Sequence, residues 1–128
     1  MAKEILVSEY IDEAINLISE LDNSGFVINS ALWYYFEEAE EWRLIIATPI
    51  VDKNGPLQTY KVINKFIKDK NIFIHTPLRK LTVISPNDPL IKLLRMAIKT
   101  GPTISKIRFQ NNFINNVQIE DALIYRLQ

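Results

Sequence analysis

A lone histidine, an acidic pair on an apolar strand and two lysine-rich stripes are the residues whose types and spacing could do chemistry in this chain. His75 has the chemistry of a general base. A triad around it would have to be assembled from afar, with Ser85 or Thr76 and Asp88 as members. It stands in a loop without a nucleophile beside it in sequence, and one histidine cannot build the multi-histidine metal sites of hydrolases. A structural place for His75 is therefore the stronger reading.

Glu120 and Asp121 raise a different question. The alternation of the last strand puts Asp121 on its apolar side, where an isolated carboxylate is costly. It must be paired, hydrogen-bonded or protonated, and acids so perturbed are enriched at active sites. A hydrolase or nuclease would use Glu120 and Asp121 beside a basic groove, yet no Glu-x-Lys follows on this strand. A salt bridge to Arg43 or Arg108, or a bulge turning Asp121 to solvent, is the structural alternative.

The cations form the third group. Lys61, Lys65 and Lys68 fall within about 60° of one another on a helix, and Lys92, Arg95 and Lys99 line the outside of another. Six cations on two stripes can neutralise phosphates if the stripes are neighbours in space. Five of the six are Lys, which argues against bidentate recognition. No helix-turn-helix, RNA-binding or zinc-finger signature accompanies them. The alternative is two ordinary solvated helix faces. Trp33, Tyr34, Tyr35, Phe36 and Trp42 add rings that stack bases or anchor a protein partner when exposed, and that fill a core when buried.

Other chemistries lack their motifs. There is no GxGxxG, Walker loop, HExxH, GxSxG or EF-hand, and three glycines cannot make a glycine-rich phosphate cradle. No cofactor and no metal site is read from the sequence. With no cysteine, disulfides and thiolate metal sites are excluded, which favours a cytoplasmic setting. The first residues, MAKEILVSEYIDE, are too acidic for a signal peptide, and no run approaches a membrane span.

The elements that must position these residues follow from periodicity. Val7, Tyr10, Ile11, Ala14, Leu17, Ile18 and Leu21 form one helical stripe opposite Glu9, Asp12, Glu13, Asn16 and Glu20, ending at Asn23-Ser24-Gly25. Two aromatic and branched runs around Glu37–Glu41 predict a β-hairpin carrying Trp33 and Trp42 on paired strands. A helix from Ser30 to Glu41 competes, but its aromatics would ring it on every side. The stretch 52–56 reads as a turn into a helix with Pro56 at its first position and Tyr60, Ile63, Phe66 and Ile67 inward. Leu81–Ile84 suits a central strand. Asp88 then caps a third helix, with Leu90, Leu93, Leu94, Ala97 and Ile98 inward and Gly101-Pro102 as its stop. The tail predicts a second hairpin turning at Asn115-Asn116.

The order is α-ββ-α-β-α-ββ. It predicts one α+β domain over 1–128, a mainly antiparallel sheet of about five strands with three helices packed on one face, or a small barrel-like curl. Length and composition agree: 128 residues, 48% apolar and 23% charged, fit a single folded domain.

The zero net charge hides an asymmetry. Up to Asp52 eleven acids face Lys3 and Arg43 alone, while from Lys53 onward thirteen Lys and Arg face four acids, about −9 followed by about +9. Such a split points to partners. The reading is a small non-enzymatic binding module whose basic helical faces, Lys61, Lys65, Lys68, Lys92, Arg95 and Lys99, meet an anionic partner, either nucleic acid or an acidic protein surface. A homo-oligomer, with the acidic first helix of one copy on the basic helices of another, is the alternative. A hydrolase using Glu120 and Asp121 is a lesser one.

Overall fold

The computed structural model describes residues 3–128; Met1 and Ala2, which open the acid-rich start, lie outside the described residues. Helix α1 (Ser8–Asn23) buries Ala14, Leu17, Ile18 and Leu21, the stripe its spacing predicts. It ends where glycine permits. Gly25 takes φ +84°, and the amides of Gly25 and Phe26 donate back to the carbonyls of Asp22 and Leu21 at 3.1 and 3.0 Å. Those bonds satisfy carbonyls that a helix end otherwise leaves without partners.

Strands β1 (Ser30–Phe36) and β2 (Glu41–Ala47) form the predicted hairpin, with Trp33 opposite Leu44 and Tyr35 opposite Trp42. The two tryptophans are thus diagonal neighbours on one face, and the competing helix is ruled out. Two elements follow where a turn and one helix were expected. Residues Ile50–Asn54 wind into a short helix, α2, and Gly55 at φ +86° redirects the chain into α3 (Pro56–Asp69), which buries Thr59, Ile63 and Ile67. A 3-10 turn, Leu78–Lys80, leads into β3 (Leu81–Ile84).

Helix α4 (Pro89–Arg95) starts as its residues predict, with the Asp88 carboxylate accepting from the Leu90 amide at 2.9 Å and Pro89 in the first turn. It is shorter than predicted, ending six residues before Gly101. Ile91 and Leu94 are its buried positions, whereas Ala97, expected inward, is exposed. Strands β4 (Ile107–Ile114) and β5 (Val117–Leu127) make the second hairpin. Asn115 and Asn116 both take positive φ, as the predicted tight turn requires.

The sheet order is β3-β2-β1-β5-β4, antiparallel except for the parallel β2–β3 pair. β3 therefore lies at an edge, not at the centre. Its buried residues, Leu81 and Val83, belong to the core packed by α3 on one face, not to a strand flanked on both sides. The helices also do not share one face. α1 and α3 pack with Trp33, Tyr35, Trp42, Leu44, Ile46, Leu123 and Tyr125. α4 packs with Leu32, Ile45, Ala47, Ala122, Ile124 and Leu127 on the other. The reason is visible in β1 and β2, where consecutive residues are buried, a pattern that demands cover on both sides.

A β-bulge corrects the expected alternation of β5. Ala31 pairs with Arg126 but Leu32 pairs with Ile124, so Tyr125 is an extra residue. Tyr125 and Arg126 consequently both reach α1: the Tyr125 hydroxyl donates to the Ile11 carbonyl at 2.8 Å, and Arg126 grips Asp22 at 2.7 and 3.0 Å. No helix among the described residues is long and apolar enough to cross a membrane.

Candidate functional site

Folding consumes much of the charge asymmetry. Acids of the first half pair with cations of the second: Glu4 with Lys80 at 2.9 Å, Asp22 with Arg126 at 2.7 Å, Glu41 with Arg79 at 3.6 Å and Glu20 with Lys70 at 3.8 Å. Glu20 and Asp22 of α1 are therefore ties to the rest of the chain, whereas Glu9 and Asp12 form no ion pair among the described residues.

The tie between Glu4 and Lys80 is the most enclosed. The Lys80 side chain is 1% exposed, and its ammonium donates to both Glu4 oxygens and to the Trp42 carbonyl. The Trp42 amide donates to Glu4 at 2.7 Å, and its indole N–H to the Glu4 carbonyl at 2.9 Å. Burial opposes ionisation of Glu4, but these hydrogen bonds and the positive charge of Lys80 outweigh it and hold the carboxyl below the ordinary range. Residues before α1 are thereby pinned across the end of the sheet.

Asp121 has the partner that the structural alternative names. Its carboxylate, 1% exposed, accepts a bidentate pair from Arg108 at 2.6 and 2.7 Å, a bond from Lys3 at 2.6 Å and one from Gln110 at 3.2 Å. Burial again opposes ionisation, and the bonds from Arg108, Lys3 and Gln110 win. Lys3 also lies 4.7 Å from the Tyr35 ring centre, and Arg108 lies 5.5 Å from that of Trp42. The cluster borders an open recess of about 400 Å³ lined by Lys3, Glu4, Trp42, Arg108, Gln110 and Asp121. With every Asp121 bond directed to a side chain of the same chain, the carboxylate is an anchor. Among the described residues no three His, Asp or Glu converge as metal ligands.

His75 is likewise committed. Its Nδ1 and its amide each lie 2.9 Å from Glu13 Oε2, while the amide and hydroxyl of Thr76 donate to Oε1 at 2.8 and 2.6 Å. Burial opposes the Glu13 charge, but the bonds from Thr76 and His75 dominate and lower its pKa. Ser85 and Asp88 stand at the start of α4, Ser85 accepting from the Asn87 amide and Asp88 from that of Leu90. His75 belongs to the α1 side of the sheet and the other two to the α4 side, so no triad forms.

The aromatic run divides by face. Trp33, Tyr35 and Trp42 are core residues under α1, with Tyr10 stacked on Trp33 at 5.9 Å. Tyr34 and Phe36 are half-buried on the other face, in edge-to-face contact at 4.9 Å.

The six cations fare unequally. Lys61, Lys65 and Lys68 are exposed in one stripe on α3, with Leu57 in the same stripe 66% exposed. Lys65 pairs with Asp69 at 2.7 Å, whose hydrogen bond raises its pKa. Lys61 and Lys68 form no ion pair among the described residues. Lys92 and Lys99 are exposed, but half-buried Arg95 donates to the carbonyls of Gln128 and Pro86, both at 2.9 Å, and braces α4. Because α3 and α4 pack on opposite faces, the two stripes do not merge. The Glu4–Lys80, Glu13–Thr76 and Asp22–Arg126 ties carry no signature in sequence, since their members stand 63 to 104 residues apart. Only the asymmetry of charge hinted at them. Comparisons with protein-family models, curated proteins and solved structures give no match.

Proposed function

We propose that this protein is a non-enzymatic binding module that holds an anionic partner, an acidic protein surface, on the solvent face of α3. The observation that carries the reading is that Lys61, Lys65 and Lys68 stand together in solvent, while so many of the chain's other cations are spent on internal ties. Exposed Leu57 in the same stripe supports a protein partner, because it adds an apolar contact to the charged ones. A nucleic acid would gain from a continuous basic track, and the second stripe lies on the opposite side of the sheet.

The test is binding of an acidic Glu/Asp-rich peptide and of a DNA oligonucleotide near 50 mM salt, before and after Lys61→Gln, Lys65→Gln and Lys68→Gln are combined. The peptide should bind the unmutated protein and lose about 0.6–3 kcal/mol in the triple variant, at ~0.2–1 kcal/mol for each exposed pair. Preferential binding of the oligonucleotide, with a salt slope that falls by up to about three contacts in the variant, would replace the protein partner by nucleic acid. No binding of either would remove the reading.

A further inference from the structure

Where α3 ends, the chain folds back and leaves a recess beside the helix. Asn71 takes φ +52°, and the Ile72 amide donates to the Ile67 carbonyl at 3.0 Å, which reverses the chain. The Tyr60 hydroxyl donates to the Leu78 carbonyl at 3.4 Å and fastens the returning loop to α3. Glu13 holds the same loop from the α1 side, accepting from the amides of His75 and Thr76 at 2.9 and 2.8 Å. Between helix and loop lies a recess of about 320 Å³, lined by Ile67, Phe73, Leu78, Thr76, Asn71 and Lys68. That is the low end of the range for ligand pockets, ~300–1,000 Å³. With three apolar walls it suits a single large apolar side chain.

The recess runs into the cationic stripe. At about 100° per residue, Leu57, Lys68, Lys61 and Lys65 follow Ile67 around α3 in that order, at about 80°, 100°, 120° and 160°. Lys68 is therefore both a wall of the recess and the first cation of the stripe, and it is exposed with no ion pair among the described residues. The helix also sets a polarity. Its C-terminal end carries partial negative charge, so the recess favours a neutral group and carboxylates belong further up, beside Lys65 and Lys61. Lys61 stands seven residues before Lys68, about 10 Å along the axis, which an extended chain covers in about three residues.

We infer that the acidic partner of α3 seats one aromatic or branched apolar side chain in this recess, with its acids within about three or four positions on one side of that anchor. The anchor packs on Ile67, Phe73 and Leu78, and the acids reach Lys68, Lys65 and Lys61. The inference rests on the α3 reading and adds to it the apolar anchor and the spacing. Exposed ion pairs are individually weak, so three lysines alone would hardly separate one acidic stretch from another. A desolvated apolar side chain in a formed pocket discriminates better. Because Tyr60 and Glu13 hold the loop in place, little of the binding energy goes into ordering the pocket.

Calorimetric titration of the full chain near 50 mM salt tests it with two synthetic peptides of equal charge. One carries a phenylalanine beside four glutamates, and the other has serine in place of the phenylalanine. The unmutated protein should bind the phenylalanine peptide about tenfold or more tighter, the order expected for burying an aromatic side chain. Methyl NMR should show the Ile67 and Leu78 signals shifting with the phenylalanine peptide and not with the serine one. Neither measurement needs a variant. Leu78→Trp, which fills the recess, should erase the preference while binding the serine peptide as the unmutated protein does, and that binding shows the variant to be folded. Equal affinity for the two peptides, with binding lost in Lys61→Gln/Lys65→Gln/Lys68→Gln, would overturn this inference and leave the α3 reading standing. A preference for phenylalanine without shifts at Ile67 and Leu78 would put the apolar contact elsewhere and overturn the recess as its site. Binding of neither peptide would remove both readings.

Discussion

The two faces of the sheet are built on different principles. Under α1 and α3 the apolar core is rimmed by ties of high sequence separation: Glu4 to Lys80, Glu13 to Thr76, Asp22 to Arg126, Asp121 to Arg108 and Lys3. On the α4 face Arg95 braces the helix through backbone carbonyls, Arg43 bonds Glu41, Thr82 and the Arg79 carbonyl, and Lys92 and Lys99 stand in water. Charges on the first face hold the molecule together. On the second, Lys92 and Lys99 alone of the α4 cations form no ion pair and no tie among the described residues. A raw count of acids and bases cannot separate these two roles.

The contrast breaks most sharply at Glu4. Glu4→Leu leaves the enclosed Lys80 ammonium without its counter-charge, and removing one partner of a buried pair costs about 3–5 kcal/mol. Urea unfolding should show that loss. Adding Lys80→Met to it should recover much of the stability, because a well-packed apolar pair often equals a buried ionic one. Little loss in Glu4→Leu would mean that the segment before α1 is not fastened as the geometry implies.

Asp121→Ala is the next largest, stranding Arg108 and Lys3 at about 1–3 kcal/mol near neutral pH. Its cost should also depend on acidity. The folded pKa of Asp121 lies below its unfolded value, so the carboxylate's contribution is present above about pH 4 and is lost as pH falls through the folded pKa. Glu4 and Glu13 shift in the same direction and add to the acid loss. Unfolding curves of the unmutated protein and of Asp121→Ala should converge on acidification. Parallel curves would show that Asp121 acts through packing alone.

The smallest effect is expected on the α4 face. Lys92→Gln and Lys99→Gln should move monomer stability by no more than about ±0.5 kcal/mol, because both side chains stand in water. A larger loss in urea unfolding would erase the distinction between the faces.

Local chemistry was legible wherever the deciding partners are close in the chain. Helix periodicity marked Ala14, Leu17, Ile18 and Leu21 as buried, Gly25 as the stop of α1, Asp88 as the cap of α4 and Asn115-Asn116 as the hairpin turn. Each depends on contacts within a few residues. The early end of α4 and the bulge at Tyr125 were not legible, since Arg95 and Tyr125 are tied to distant elements, whereas α2, read as a turn, is held by local bonds such as that of the Gly55 amide to the Val51 carbonyl.

By itself, then, the order of residues determined an α+β class, two hairpins, the cationic stripe of α3 and the need of Asp121 for a partner. Tertiary structure alone decided which partner Asp121 takes, which sheet face each helix covers, and that the stripes on α3 and α4 lie apart. The physical reason is range. Periodicity and capping are fixed by φ/ψ preferences and neighbours one or two turns away, whereas an ion pair such as Asp22–Arg126 exists only once the sheet has brought residues 104 apart into contact.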